Sequence, residues 1–62
     1  MKVKKLLNRF KIGQYIQIYD YTMSIQYSGF VCDMNIFSHV MDEKVESIWI
    51  DEYLNGICIK YR

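Results

Sequence analysis

The 62-residue chain contains no proline, three glycines, two cysteines and a single histidine. Without proline or a Ser/Gly-rich stretch nothing marks a linker, so we expect one domain spanning residues 1–62. Two cysteines are too few for the disulfide frameworks of small secreted domains. No apolar run approaches the roughly 20 residues of a membrane-spanning helix, and none follows the basic start as a signal peptide would require. The sequence therefore predicts a cytoplasmic protein with reduced thiols and no membrane contact.

The residues that are present are unusually apolar for so short a chain. Hydrophobic residues make up 52% and aromatic residues 16%, including six tyrosines and one tryptophan, which excludes the profile of a disordered chain. A domain of this size buries only about 60% of the surface that its unfolded chain exposes. Some aromatic side chains must then lie on the surface, where apolar patches favour a homo-oligomer or a complex.

The formal net charge of +1 conceals an uneven distribution. The first eleven residues carry five positive charges and no acid: Lys2, Lys4, Lys5, Arg9 and Lys11. From residue 12 onward seven acids stand against three bases, a balance of −4. This asymmetry indicates either a nucleic-acid or acidic-protein contact at one end, or simply a solvated helix beside ordinary loops.

Hydrophobic spacing predicts the elements. Apolar residues at 3, 6, 7 and 10 share one face of a short basic helix that ends near Gly13. Alternating patterns predict strands at 15–20, 24–32, 45–51 and 57–61, with a short helix or turn through 36–41. The predicted fold class is α+β: a short N-terminal helix followed by a small twisted four-stranded antiparallel sheet or half-open barrel.

Two glycines refine this prediction. Gly29 interrupts the second strand and indicates a bulge or bend there. Asn55-Gly56 predicts a two-residue turn that closes the last hairpin. In the register that follows, Leu54 opposes Ile57, Asp51 opposes Lys60 and Trp49 opposes Arg62, with an ion pair and a cation–π contact on one face.

The outward face of that hairpin is the first candidate surface, with Trp49 and Tyr53 near Lys60 and Arg62, and Cys58 between them. Aromatic and basic residues together can stack bases and neutralise phosphates, or anchor a protein interface. The first helix or a second copy could equally cover this face. A nucleic-acid module would use Trp49 together with seven cations: Lys2, Lys4, Lys5, Arg9, Lys11, Lys60 and Arg62.

An acidic edge is the second candidate surface. Its members come from turns and helix ends that can group at one side of the fold: Asp20, Asp33, Asp42, Glu43 and Glu46. Such an edge can mimic nucleic-acid phosphates for a basic groove. Together with Trp49 and Tyr53, these acids form the predicted protein-binding site.

Metal binding and catalysis find little support in the sequence. Cys32, Asp33, His39 and Cys58 lack the spacing that arranges structural zinc ligands. His39 would have to serve any nucleophile as its base, and no segment resembles a nucleophile elbow or a phosphate loop. We expect no enzyme, no metal and no cofactor.

Residues 15–20 (Tyr-Ile-Gln-Ile-Tyr-Asp), 25–34 and 44–48 (Lys-Val-Glu-Ser-Ile) resemble small uncharacterised proteins of phages and other mobile elements. Size, Ile/Tyr/Lys content and absence of proline also look like anti-CRISPR inhibitors. The resemblance implies a protein that binds and blocks a host defence protein such as a CRISPR nuclease. The element order is loosely similar to that of Sm-like small barrels, at the level of fold alone. A nucleic-acid-binding module and a homo-oligomeric structural or small-ligand-binding protein are the alternatives.

Overall fold

A computed structural model describes residues 1–11, 13–31, 38–53 and 55–62. Two short helices and four strands follow one another in the order α1 (Val3–Leu7), β1 (Tyr15–Tyr19), β2 (Ile25–Phe30), α2 (Ser38–Met41), β3 (Val45–Asp51) and β4 (Gly56–Tyr61). The fold class is α+β. The predicted helix or turn through 36–41 is described from residue 38 onward.

The strands form one mixed sheet in the order β2-β1-β4-β3. The sheet consists of two antiparallel hairpins, β1–β2 and β3–β4. They are joined at the centre of the sheet, where β1 pairs with β4 in parallel. The prediction of a wholly antiparallel sheet is therefore wrong at its centre. Among the described strands β2 and β3 lie at opposite edges, so the sheet does not close on itself.

The last hairpin also departs from its predicted register. Asp51 pairs with Gly56, Trp49 with Cys58 and Ser47 with Lys60, so four residues connect the strands instead of the Asn-Gly pair. The left-handed backbone position falls on Asn55, at φ 50°. Ile48 opposes Ile59 and Ile50 opposes Ile57; these apolar pairs outweigh the local turn preference of the dipeptide. The predicted Asp51–Lys60 and Trp49–Arg62 contacts are accordingly not formed.

The irregularity predicted at Gly29 lies elsewhere. Gly29 pairs regularly with Ile16, and the register of this hairpin shifts instead between Ile18 and Tyr19, close to its turn. A Cβ atom at Gly29 would lie 2.8 Å from the hydroxyl of Tyr27. The glycine therefore gives room to a neighbouring side chain.

One face of the sheet carries the core. Ile16, Ile18 and Ile59 are fully buried against the apolar side of α1 and against Val40 of α2. Helix α1 spans only five residues, too few to persist without this packing. Beyond Leu7 the chain tightens into a turn in which the Phe10 N–H donates to the Leu7 carbonyl at 3.1 Å. We call this the helix-covered face.

Candidate binding face

The opposite face of the sheet carries a cluster of aromatic residues. Side chains alternate between the two faces along a strand, so residues paired across neighbouring strands share a face. The pairings put three rows of residues on this face, one row of Phe30, Tyr15 and Gly56, a second of Ser28, Gln17, Cys58 and Trp49, and a third of Tyr19, Lys60 and Ser47. Both described helices pack on the other side. We call the set Tyr15, Tyr19, Phe30 and Trp49, with the residues between them, the aromatic face.

The aromatic rings on this face contact one another in two pairs. Tyr15 meets Phe30 edge-on, with ring centroids 5.4 Å apart and an interplanar angle of 83°. Tyr19 lies tilted against Trp49, with centroids 5.5 Å apart. Both geometries are favourable for aromatic pairs. The second contact crosses from β1 to β3 over β4, which requires the parallel pairing of β1 with β4.

Small and polar groups fill the space between the ring pairs. The Gln17 side-chain oxygen accepts hydrogen bonds from the Tyr19 hydroxyl at 2.9 Å and from the Cys58 thiol at 3.6 Å. Tyr15 and Ser28 join their hydroxyls at 2.5 Å. Gly56 lies beneath Tyr15, where an added Cβ would come within 2.9 Å of the ring. The face is therefore ordered by its own contacts.

Burial changes the acid–base properties of two groups here. Burial, followed by the nearby Cys58 and Asp51, raises the pKa of Tyr19 above its ordinary value. Burial and then the charge of Asp51 raise the pKa of the Cys58 thiol. Both groups thus stay protonated at neutral pH, and the centre of the face carries no charge from them.

Few charges lie on the aromatic face. Lys60 is half-buried and forms an ion pair with Glu46, with Nζ 3.1 Å from the carboxylate. In β3 and the turn after it, Glu46, Asp51 and Glu52 are acidic and no residue is basic. The surface is therefore an apolar centre bordered by acids along β3.

The predicted aromatic–basic site is only partly assembled. The structure places Trp49, Cys58 and Lys60 on the same face, because the observed register differs from the predicted one by an even step, which leaves these three residues on the face expected. Tyr53 lies in the turn after β3 and is fully exposed, whereas Arg62 follows β4 at the other end of the hairpin. These last two residues are therefore far apart along the sheet.

Three described members of the predicted acidic edge contact separate partners, with Asp20 bonded to Thr22, Asp42 near Lys4 and Glu46 paired with Lys60. Tyr19 pairs with Lys60 and Val45 with Tyr61, so Asp20 and Glu43, which lie next to these strand ends in the sequence, are near the end of β4. Burial and then the charges of these two acids raise the pKa of Tyr61. Asp42 lies 3.5 Å from Lys4. Asp33 lies outside the described residues.

Asp20 has a local structural role. Its carboxylate accepts hydrogen bonds from the Thr22 hydroxyl at 2.6 Å, from the backbone N–H groups of Thr22 and Ser24, and from the Gln26 amide. These bonds, the Thr22 hydroxyl first, lower the pKa of Asp20. The carboxylate therefore orders the β1–β2 turn.

The basic N-terminal residues lie away from the aromatic face. Val3, Leu6 and Leu7 turn α1 toward the helix-covered face, so the exposed Lys4 and Lys5 point outward on that side. Lys2, Arg9 and Lys11 flank the helix and are also exposed. The predicted nucleic-acid surface, which combines these cations with Trp49, is thus divided between two sides of the sheet.

Sequence reasoning missed the contribution of the first hairpin to this site. Tyr15, Gln17, Tyr19 and Phe30 belong to the aromatic face. Their alternation with Ile16 and Ile18 was a usable signal, because it puts the two tyrosines on one side of a strand. The missing information was that β1 lies beside β4.

Within the described ranges the chain forms no pocket and brings no three potential metal ligands together. Cys58 is a free, buried cysteine; Cys32 and Asp33 lie outside those ranges, and the side chain of His39 is not described. None of the described helices is long and apolar enough to cross a bilayer. Comparison with models of known protein families, with curated proteins and with solved structures found no match.

Proposed function

We propose that this chain is a non-enzymatic binding protein that takes a protein partner on its aromatic face. The observation that carries the proposal is the Tyr19–Trp49 pair, held on a sheet face that neither described helix covers. Tryptophan and tyrosine are enriched among the residues that dominate binding energy at protein interfaces. Rings ordered before binding lose less conformational freedom when a partner docks.

Charge favours protein over nucleic acid as the partner. A nucleic-acid site must neutralise phosphates, and Lys60, the cation that the strands place on this face, is already paired with Glu46. The basic residues of α1 lie on the other side of the sheet. A nucleic-acid strand whose bases stack on Trp49 could not reach these basic residues without passing around an edge of the sheet.

The acids along β3 specify the chemistry of the partner. Asp51 and Glu52 border the rings on the side of Trp49, whereas Glu46 is already paired with Lys60, so a complementary surface has an apolar centre flanked on that side by lysine or arginine. Nucleases guided by RNA hold the guide–target duplex in a positively charged channel, which would supply the basic part of such a surface. Inhibition of a host defence protein such as a CRISPR nuclease, which the resemblance to mobile-element proteins implies, is therefore the first specific activity to test.

The test is co-elution of the purified chain with such a nuclease, followed by affinity measurements on variants. Trp49→Ala should weaken binding by about thirtyfold or more, the effect of losing an interface anchor of about 2 kcal/mol. Tyr21→Ala is the matched control, because Tyr21 is 71% exposed but lies in the β1–β2 turn. Circular dichroism should show both variants folded.

Two results would overturn the proposal. One is binding that tolerates Trp49→Ala as well as Tyr21→Ala. The other is affinity for single- or double-stranded nucleic acid that falls linearly on a log–log salt plot and is lost in Lys4→Glu and Lys5→Glu. That second result would identify the basic helix as the functional surface.

A further inference from the structure

The outer edge of β3 is occupied along only part of its length. At its start the N-terminal segment runs beside it: the Val45 N–H donates to the Met1 carbonyl at 2.8 Å, and the Val3 N–H donates to the Glu43 carbonyl at 2.9 Å. Lys2 and Lys44 form an antiparallel bridge there. Beyond Val45 no described strand lies on this side. This edge therefore already accepts an extended segment, and no segment among the described residues pairs with its second half, which we call the open half.

The open half is apolar at its centre. Ile48 and Ile50, 50% and 71% exposed, extend past the helices on the helix-covered face, and Trp49 lies between them on the aromatic face. Natural proteins usually protect an edge strand with charged residues, especially lysine, with proline, with a bulge or with a covering segment. In β3 the charged residues are Glu46 and Asp51 and the bulge lies between Val45 and Ser47, so these devices stand at the ends of the strand and its centre has none. Such an edge favours pairing with another strand.

The other edge of the sheet is less available. On β2 the Tyr27 hydroxyl donates a hydrogen bond to the carbonyl oxygen of Phe30 at 2.7 Å, which places a side chain over the end of that strand. Each edge strand also carries one register irregularity, between Ile25 and Tyr27 in β2 and between Val45 and Ser47 in β3, and bulges hinder further pairing at those points. In β3 the irregularity lies beside the segment that Met1 already occupies, so the stretch from Ser47 to Asp51 is regular and able to accept a strand.

We propose that two copies of this chain pair antiparallel through β3, with a two-fold axis at Trp49. In this register Ile48 of each copy opposes Ile50 of the other, so the two exposed isoleucines cover one another. Since β3 ends at Asp51, the second copy's strand stops opposite Ser47, short of the segment that Met1 already occupies. In an antiparallel pair, opposed residues alternate between hydrogen-bonded and non-hydrogen-bonded pairs, so the two β3 strands would form roughly four to six new backbone hydrogen bonds.

The alternative two-fold axis at Ile48 is excluded by the same contacts. It would bring Asp51 of the second copy opposite Val45, whose N–H already bonds Met1. The length of open edge thus matches a strand centred on Trp49. A symmetric, self-complementary contact of this kind is the commonest route to a closed dimer.

Pairing at this edge enlarges the binding surface. The two sheets become one of eight strands, and the Tyr19–Trp49 pair of each copy lies beside that of the other. The aromatic face of one copy is then continued by that of its neighbour. The dimer forms without any other partner, so its existence is independent of the proposed function.

The test is the molar mass of the isolated protein in a sedimentation-equilibrium series from about 1 µM to 1 mM. We expect a monomer–dimer equilibrium that Ile50→Lys weakens by at least about tenfold, because two apolar contacts are lost per dimer. Ile25→Lys is the matched control: Ile25 is 53% exposed on the opposite edge, and its replacement should leave the dimer intact.

The register is tested separately by disulfide formation. A mixture of Ile48→Cys and Ile50→Cys chains should give a mixed disulfide joining the two introduced cysteines, which peptide mass mapping distinguishes from any bond to Cys32 or Cys58. Either variant alone should give far less. A monomer at all concentrations, a dimer lost with Ile25→Lys, or cross-linking as efficient in the single variants would each overturn the proposal.

Discussion

The two faces of the sheet are both apolar, but they are ordered in different ways. On the helix-covered face Ile16, Ile18 and Ile59 are each 0% exposed, because α1 and α2 pack over them. On the aromatic face Tyr15, Tyr19 and Trp49 are half-buried with neither described helix above them. Tyr19 packs on Trp49 and Tyr15 packs on Phe30. The Tyr19 hydroxyl donates a hydrogen bond to Gln17, and the Tyr15 hydroxyl is hydrogen-bonded to Ser28.

This difference follows from the size of the chain. A small domain has enough helix to cover one face of a four-stranded sheet, and a second uncovered face is usually polar. Here it is aromatic, and an exposed apolar surface on a small protein indicates a partner. We therefore assign the stability of the fold to the helix-covered face and propose recognition for the aromatic face. The predictions below test this division of roles.

The largest expected effect is on the helix-covered face. Ile59→Ala should lower the free energy of unfolding by about 2–5 kcal/mol, because it leaves a cavity under α1. Ile50→Ala is the matched control on the same face; Ile50 is 71% exposed, and its cost should stay within about 0.5 kcal/mol. Urea denaturation followed by circular dichroism, at a concentration where the protein is monomeric, measures both.

Ile59→Ala can unfold so small a domain outright, and Ile59→Val then supplies the graded measurement. We expect about 0.5–1.5 kcal/mol for this smaller deletion. Equal costs at positions 59 and 50 would contradict the assignment of the core to the strands that lie beneath the helices.

The local elements were largely predictable from the sequence, and their partners were not. The spacing of Val3, Leu6 and Leu7 gave the helix, and alternation gave four strands, because these signals depend on neighbours within one element. The parallel pairing of β1 with β4 joins residues about forty positions apart, and alternation looks the same for either strand direction.

The error in the last hairpin shows how a local signal was overridden. Asn55-Gly56 favours a two-residue turn, yet the longer connection lets Ile48 face Ile59 and Trp49 face the small Cys58. The sequence therefore predicted only the part of the aromatic face that lies on β3 and β4. Tyr15 and Tyr19 were missing because nothing local indicated that β1 lies beside β4.

The next effect tests the close approach of β1 and β4 beneath the aromatic face. Gly56→Ala should cost about 1–3 kcal/mol of stability, because the new Cβ would lie 3.1 Å from the carbonyl oxygen of Tyr15, a backbone atom that cannot swing away. Gly29→Ala should cost less, since its added methyl meets the Tyr27 hydroxyl at the end of a side chain. Thermal unfolding compares the two, and a reversed order would contradict the strand arrangement.

A smaller effect measures how far the aromatic face orders itself. A double-mutant cycle with Tyr19→Ala and Trp49→Ala should give a coupling energy of about 0.5–1.5 kcal/mol, as expected for rings in contact. The pair of Tyr21→Ala with Trp49→Ala is the control, and its coupling should be near zero. Additive losses in the first cycle would mean that the rings do not support one another before a partner binds.

The last prediction concerns reactivity and asks whether the aromatic face excludes water at its centre. Cys58 is 2% exposed, and burial with the charge of Asp51 raises the pKa of its thiol, so little reactive thiolate exists at neutral pH. Labelling of Cys58 by a disulfide reagent, located by peptide mass mapping, should be slow at pH 7 and faster as the pH rises past the ordinary thiol range.

Trp49→Ala should speed this labelling, because it removes the side chain opposite Cys58, whereas Tyr53→Ala, at a fully exposed position, should not. If labelling were as fast in the unaltered protein as in Trp49→Ala, Trp49 would not be shielding the sulfur. The aromatic face would then be a loose surface, and its rings would have to be ordered by the partner at the moment of binding.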